Sequence, residues 1–217
     1  RADGECLHPQ PLIEAALAMR CIREHAAEWC LDPARVGICG FSAGGHAALL
    51  YAVSWRQPWL SEAAGGAAEL LRPALCIAGY PVVDYMAWTD AQCPHPVTRQ
   101  VRDECRMGLF GVADPDPALL EATNPVLQVT ADTPPMFLWA TAEDVKVPAA
   151  NTLHMTEALM QAGVPVEVHI FESGQHGLAL ASPASAGTRQ KLNPAAAQWL
   201  PLCETWLQKR FELELME

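Results

Sequence analysis

The pentapeptide Gly40-Phe41-Ser42-Ala43-Gly44 is the most chemically informative stretch of the chain. A G-x-S-x-G motif between an apolar run and a helical pattern marks a sharp strand-to-helix turn that lifts a serine hydroxyl out of the backbone. The turn is tight, so the glycines on either side are read as positions that must lack bulk. Serine is a poor nucleophile alone and needs a base, which a carboxylate must in turn orient. In this arrangement the chain order is serine, acid, histidine. His176, in Ser173-Gly174-Gln175-His176-Gly177, sits on a glycine-flanked loop just past an apolar strand pattern and is the predicted base. His95 falls in an irregular stretch, His154 inside a helical pattern and His169 inside a strand pattern, where packed or surface roles explain them. Asp144 follows the run 136–142 directly and is the predicted acid, with Glu143 read as a solvated neighbour. Asp132 precedes that run and so lies at its wrong end, while Asp84 follows the earlier strand and stands as an alternative acid, with the cap of a turn as its plainer role. The amide of Ala43, at the mouth of the following helix, is the predicted oxyanion donor. His46, one helical turn on, reads as a structural histidine.

These side chains need a scaffold with parallel strands. Residues 36–41, 74–78, 136–142 and 164–171 are short apolar runs with little polar alternation, as strands buried on both faces require. Helical spacing fills 11–30, 43–53, 148–162 and 194–208. Strands alternating with helices predict an α/β fold with a mostly parallel sheet flanked by helices. The whole chain, 1–217, reads as one domain. Between about 80 and 133 the rhythm is lost to proline, histidine and charged residues. That stretch reads as an irregular, cap-like insertion over the carboxyl ends of the strands, where open α/β sheets bind ligands. Tyr80 and Trp88 near its start are candidate substrate contacts, although core packing explains such aromatics equally well.

Composition narrows the classes. A net charge of −11 argues against a nucleic-acid partner, which needs clustered Lys and Arg. No stretch approaches about 18 consecutive apolar residues, so no membrane span is expected. No Cys/His/Asp spacing resembles a metal site and no glycine-rich phosphate loop is present, so neither metal nor cofactor is expected. Eight scattered cysteines without a C-x-x-C pair read as reduced apolar fillers, hence a cytoplasmic setting. A homo-oligomer is left open.

Several motifs together resemble one known group. Gly-Phe-Ser-Ala-Gly-Gly-His at 40–46, Asp32-Pro33-Ala34-Arg35-Val36-Gly37, Thr133-Pro134-Pro135-Met136-Phe137-Leu138, Asp144 with Val147-Pro148, and Gly174-Gln175-His176-Gly177 are similar to the xylan-esterase-like branch of the α/β-hydrolases. The resemblance implies an α/β-hydrolase fold and deacylation of acetylated or feruloylated carbohydrate, or of a related small ester. Members of that branch also carry a glycine-rich oxyanion motif upstream of the nucleophile. Nothing of that kind precedes Ser42, and residues 1–11 resemble the segment after the fourth strand. The expectation is a chain lacking the N-terminal strands, with an unpaired edge at 36–41. Two rival readings stand beside the esterase: a prolyl-oligopeptidase-type serine peptidase, and a non-catalytic hydrolase-like protein whose exposed strand edge pairs with another chain.

Overall fold

The computed structural model describes residues 7–86, 88 and 95–213. Four parallel strands form one sheet in the order β1 (Ile38–Phe41), β2 (Cys76–Gly79), β3 (Met136–Thr141) and β4 (Val166–Phe171). The register aligns Gly40 with Ala78 and Gly79 with Trp139, so β1 and β2 finish together at the carboxyl edge and β3 runs two residues further, to Thr141. Ser42 and Tyr80 leave that common edge as the next residues of their chains.

Strand side chains alternate between two faces, and each face has its own apolar layer. Cys76, Ala78, Met136 and Leu138 point to the side of α1 (Gln10–Glu24), α2 (Ala43–Ser54), α3 (Pro58–Ala64) and α6 (Ala150–Gln161). Ile77, Phe137 and Trp139 point to α7 (Trp199–Phe211), where Trp199, Cys203 and Trp206 cover them. Every residue of β3 is buried, as its continuous apolar run predicts for a doubly covered strand. From Gly45 to Ser54 only Ala47 of α2 is not fully buried, which explains why its sequence carries no polar stripe. Among the described residues β1 has a strand on one side only, and its Cys39 is exposed.

The stretch expected to be irregular contains two helices, α4 (Pro96–Phe110) and α5 (Pro117–Ala122). Pro96, Pro117 and Pro125 stand at first helical positions, where the missing N–H costs nothing and the fixed φ favours the helix. The residues before them cap: His95 Nδ1 accepts from Val97 N at 3.2 Å, and Asp116 Oδ1 from Ala118 N at 2.7 Å. Proline and histidine there are start signals rather than loop composition. Together with Val82, Tyr85, Trp88 and Val147, Phe110 of α4 closes a third apolar cluster. The helix expected over 11–30 stops at Glu24, and the closing helix begins five residues later than expected, after a 3₁₀ turn at Ala196–Gln198.

Cys76 and Cys203 fill the core, and burial pushes both thiols up. Cys21, Cys30 and Cys39 are instead exposed, and Cys105 is half-buried. Cys6 and Cys93 lie outside the described residues. Among the described residues no helix is long and apolar enough to cross a membrane.

Candidate active site

Ser42 joins β1 to α2 with φ 55° and ψ −121°, a conformation that costs a non-glycine residue free energy. The turn is pinned from both sides: Ser42 N donates to Gly79 O at 3.0 Å, and its carbonyl accepts from His46 N at 3.0 Å. Serine at a helix N-cap ordinarily bonds the first turn through its hydroxyl. Here the Ser42 side chain makes no capping bond. Its Oγ donates instead to His176 Nε2 at 2.7 Å.

The two glycines of the elbow have different roles. A Cβ at Gly40 would lie 2.0 Å from the Gly44 carbonyl oxygen and 2.4 Å from its carbon, so Gly40 is required by a backbone-to-backbone approach. A Cβ at Gly44 would meet nothing within 4 Å. The second close approach belongs to Gly45, whose Cβ would stand 3.0 Å from Pro81 Cβ. The bulk restriction expected on both sides of the serine therefore holds at Gly40 and not at Gly44. Gly40→Ala is expected to destabilise the fold by about 1–3 kcal/mol through overpacking. Gly44→Ala is expected to be neutral or to gain up to about 1 kcal/mol of helix propensity. Thermal unfolding of the two variants side by side checks this, and equal losses would contradict it.

His176 Nδ1 donates to Asp144 Oδ2 at 2.6 Å. The Asp144 side chain is 1% exposed and the His176 side chain 14%. The other oxygen, Asp144 Oδ1, accepts from Lys146 N at 2.9 Å and Val147 N at 3.0 Å. The carboxylate is thus held by three donors in the turn after β3, which fixes its orientation toward the imidazole. Ser42, His176 and Asp144 come from three different strand ends and meet in one line.

The loop that carries His176 is tethered by residues next to the acid. Thr141 Oγ1 donates to Gly174 O at 2.7 Å, and Gly174 N donates to Glu143 Oε2 at 3.1 Å. Gly174 has φ 143° and Gly177 φ 80°, conformations that favour glycine on either side of the histidine. Glu143 is therefore a tether of the histidine loop rather than merely solvated. The only sequence signal for this was its place beside Asp144, which does not reveal a partner 31 residues away.

Tyr80 packs its ring edge-on to His176, 5.0 Å between centroids at 73°, and its hydroxyl accepts from Ala179 N at 2.9 Å. The side wall of the imidazole is thus built by Tyr80, which is itself only 5% exposed. Trp88 is buried in the third cluster, 6.0 Å from Tyr85 between ring centroids. Ala43 is exposed as the first residue of α2, so its N–H has no intrahelical partner.

The residues set aside have other partners. Asp84 Oδ1 accepts from Met86 N at 2.8 Å within a turn. Asp132 pairs with Arg56, and His169 Nε2 contacts Glu167 Oε1 at 3.1 Å. Among the described residues no three His, Cys, Asp or Glu side chains gather as a metal-binding group.

His46 is half satisfied. Its Nδ1 lies 3.2 Å from the Val82 carbonyl, which can only accept, so Nδ1 carries the proton. Nε2 is buried and meets no hydrogen-bond partner among the described residues. Burial holds the imidazole pKa down to about 4. A histidine depressed below its unfolded value of 6.5 contributes stability above pH 6.5 that is lost as pH falls toward 4. The loss across that window is on the order of 3 kcal/mol. Urea unfolding at pH 7.5 and 4.5 is expected to register it, with a smaller difference in His46→Gln; an equal difference in both proteins contradicts the assignment.

The chain belongs to the BD-FAE family, whose model matches residues 1–159, a span that includes Ser42 and Asp144. This agrees with the xylan-esterase-like resemblance of the motifs. The chain is 33% identical over 181 residues to Endo-1,4-beta-xylanase B of Butyrivibrio fibrisolvens, covering 81% of this chain and 26% of that protein. It is 30% identical over 161 residues to Esterase LipQ of Mycobacterium tuberculosis, covering 73% and 36%. The chain thus spans between about a quarter and just over a third of the length of these curated relatives. Among solved structures it is similar to the carboxylesterase Cest-2923 of Lactobacillus plantarum WCFS1, with 31% identity and a TM-score of 0.78, covering 98% of this chain and 72% of that one. It is also similar to an acetyl ester-xyloside bifunctional hydrolase of Caldicellulosiruptor lactoaceticus, with 32% identity and a TM-score of 0.73, covering 94% and 66%. These neighbours place the chain in the α/β-hydrolase fold.

Proposed function

We propose that this chain is a serine carboxylic ester hydrolase in which Ser42, His176 and Asp144 act as nucleophile, base and orienting acid. The observation that carries the reading is the continuous relay of Ser42 Oγ, His176 and Asp144 at 2.7 and 2.6 Å. Ser42 Oγ attacks the ester carbonyl carbon while its proton passes to His176 Nε2. The carbonyl π pair moves onto oxygen, and the N–H of Ala43 donates to that oxyanion at the positive end of α2. On collapse, the C–O bond to the alcohol breaks and His176 returns the proton to the departing oxygen. Water, deprotonated by the same nitrogen, then attacks the acyl-serine; the acyl C–Oγ bond breaks, His176 returns the proton to Ser42 Oγ and the acid leaves. Asp144 stabilises the imidazolium in both halves without itself taking the proton.

The substrate class proposed is acetylated or feruloylated carbohydrate, or a related small ester. It is supported by the motifs and by relatives named for xylanase, acetyl-ester and carboxylesterase activities. The test is release of nitrophenolate from nitrophenyl acetate by the purified chain, together with labelling by a fluorophosphonate and mapping of the labelled peptide. Turnover with the label on Ser42 supports the reading. Absence of both, or cleavage of proline-containing peptide amides in place of acetyl esters, overturns it.

A further inference from the structure

Every residue of β3 is buried, and none of β4 is. Met136 N donates to Pro165 O at 3.0 Å, and Ala142 N to Phe171 O at 2.8 Å. In a parallel ladder that phase commits Pro165, Glu167, His169 and Phe171 to β3 and turns the backbone N–H and C=O of Val166, Val168 and Ile170 outward. Among the described residues those outward groups meet no backbone partner. Open edges are commonly blunted by lysine, proline or shortness. β4 runs for six residues with neither lysine nor proline. The other end of the sheet offers less: Ile38 N and Ser42 N are committed to Leu75 O and Gly79 O, so Cys39 and Phe41 alone turn outward from β1.

The helix over β4 leaves an apolar flank on the same side. α6 sits above the gap between β3 and β4. Its His154, Ala158 and Gln161 face Asp84 and Val126, toward the β2 side. Leu153 and Met160 stand on the opposite flank, which looks out past β4, and are 50% and 67% exposed. Ile170, 38% exposed, alternates with Val166 and Val168 and so shares the α6 face of the sheet.

We propose that β4 pairs antiparallel with β4 of a second copy of this chain, about a two-fold axis at Val168. In that register the outward groups answer one another, Val168 with Val168 and Val166 with Ile170. Glu167 of each copy then lies opposite His169 of the other, in the non-hydrogen-bonded pairs where side chains approach most closely, and the carboxylate accepts from the imidazole. Moving the axis to Val166 or Ile170 would set Glu167 against Pro165 or Ser173 and shorten the ladder. The axis is perpendicular to the sheet, so both α6 helices lie on one face. With strands ~4.8 Å apart, each α6 lies one strand spacing from the axis and the two helices roughly 10 Å apart, the distance at which helices pack. Leu153 and Met160 then meet their counterparts, adding apolar area to a strand edge too small by itself for a dimer that needs about 1,000 Å². The two Ser42 sites open in opposite directions, and the pairing stands independently of the esterase reading.

Sedimentation equilibrium of the purified chain tests it, with twice the chain mass expected. Val168→Pro removes an outward N–H without touching the ladder to β3, and Met160→Glu places a charge at an exposed position. Each is expected to weaken the dimer about tenfold or more, with thermal unfolding of Met160→Glu nearly unchanged. Charge exchange reads the register. Glu167→Arg sets a guanidinium opposite an imidazole, and His169→Glu sets two carboxylates opposite each other, so each variant alone is expected to associate about fivefold to tenfold more weakly. An equimolar mixture of the two is expected to recover the wild-type affinity, because every cross-strand pair then joins complementary groups. A monomeric wild type, a dimer unmoved by Val168→Pro and Met160→Glu, or a mixture no tighter than its parents overturns the proposal. So does a dimer lost instead in Cys39→Pro, on the β1 edge.

Discussion

Ser42→Ala is expected to lower kcat for nitrophenyl acetate by about 10⁶-fold, to the level of residual binding and oxyanion stabilisation. The size of the effect follows from the geometry. Among the described residues Ser42 Oγ is the single oxygen hydrogen-bonded to His176 Nε2, so none of their other hydroxyls is placed to take over the attack. The same substitution is expected to leave thermal stability almost unchanged. Ser42 makes no side-chain capping bond to α2, so the helix loses nothing when Oγ goes. Alanine is strained at φ 55° to about the same degree as serine, and the elbow hydrogen bonds to Gly79 and His46 are made by backbone atoms. Loss of activity with unchanged Tm therefore isolates chemistry from folding. Equal turnover by the two proteins would remove Ser42 from the mechanism.

Asp144→Asn is expected to lower kcat by about 10⁴-fold through the tautomer it imposes. The amide oxygen can keep the bonds from Lys146 N and Val147 N, now made to Asp144 Oδ1. The amide nitrogen then faces His176 Nδ1 and donates, which moves the imidazole proton to Nε2. A protonated Nε2 cannot accept from Ser42, and the developing imidazolium has no carboxylate beside it. Asp144→Ala is expected to lose activity similarly but also to lower stability, because the buried Val147 N–H loses its acceptor at about 1–3 kcal/mol and the partly buried Lys146 N–H loses the same one. Single-turnover kinetics with paired denaturant curves separates the two variants. Near-wild-type kcat in Asp144→Asn would show that the carboxylate does not orient the base.

Much of the line joining Ser42, His176 and Asp144 was legible before any fold was known. The reason is local: G-x-S-x-G after an apolar run describes one turn, and strand ends followed by acid and glycine-flanked histidine describe two more. The tether from Glu143 to Gly174 was not legible, because it joins residues 31 apart whose approach depends on β3 pairing with β4. The helices at Pro96–Phe110 and Pro117–Ala122 were hidden because proline signals both a loop and a helix start. Only the residue before it, and the apolar cluster available to the helix, decide which.

By itself the sequence determined the parallel α/β architecture and the tight turn that carries Ser42, and it singled out Asp144 and His176 as the side chains to join that serine, since each follows from short-range pattern. The tertiary structure alone decided which elbow glycine is sterically required, what holds the histidine loop and where, among the described residues, a buried ring nitrogen is left without a hydrogen-bond partner. Those properties depend on the Gly44 carbonyl lying over Gly40, on Thr141 and Glu143 gripping one peptide, and on His46 turning one nitrogen to Val82 and the other away. Contacts of that kind exist only once strands and helices distant in sequence have packed together.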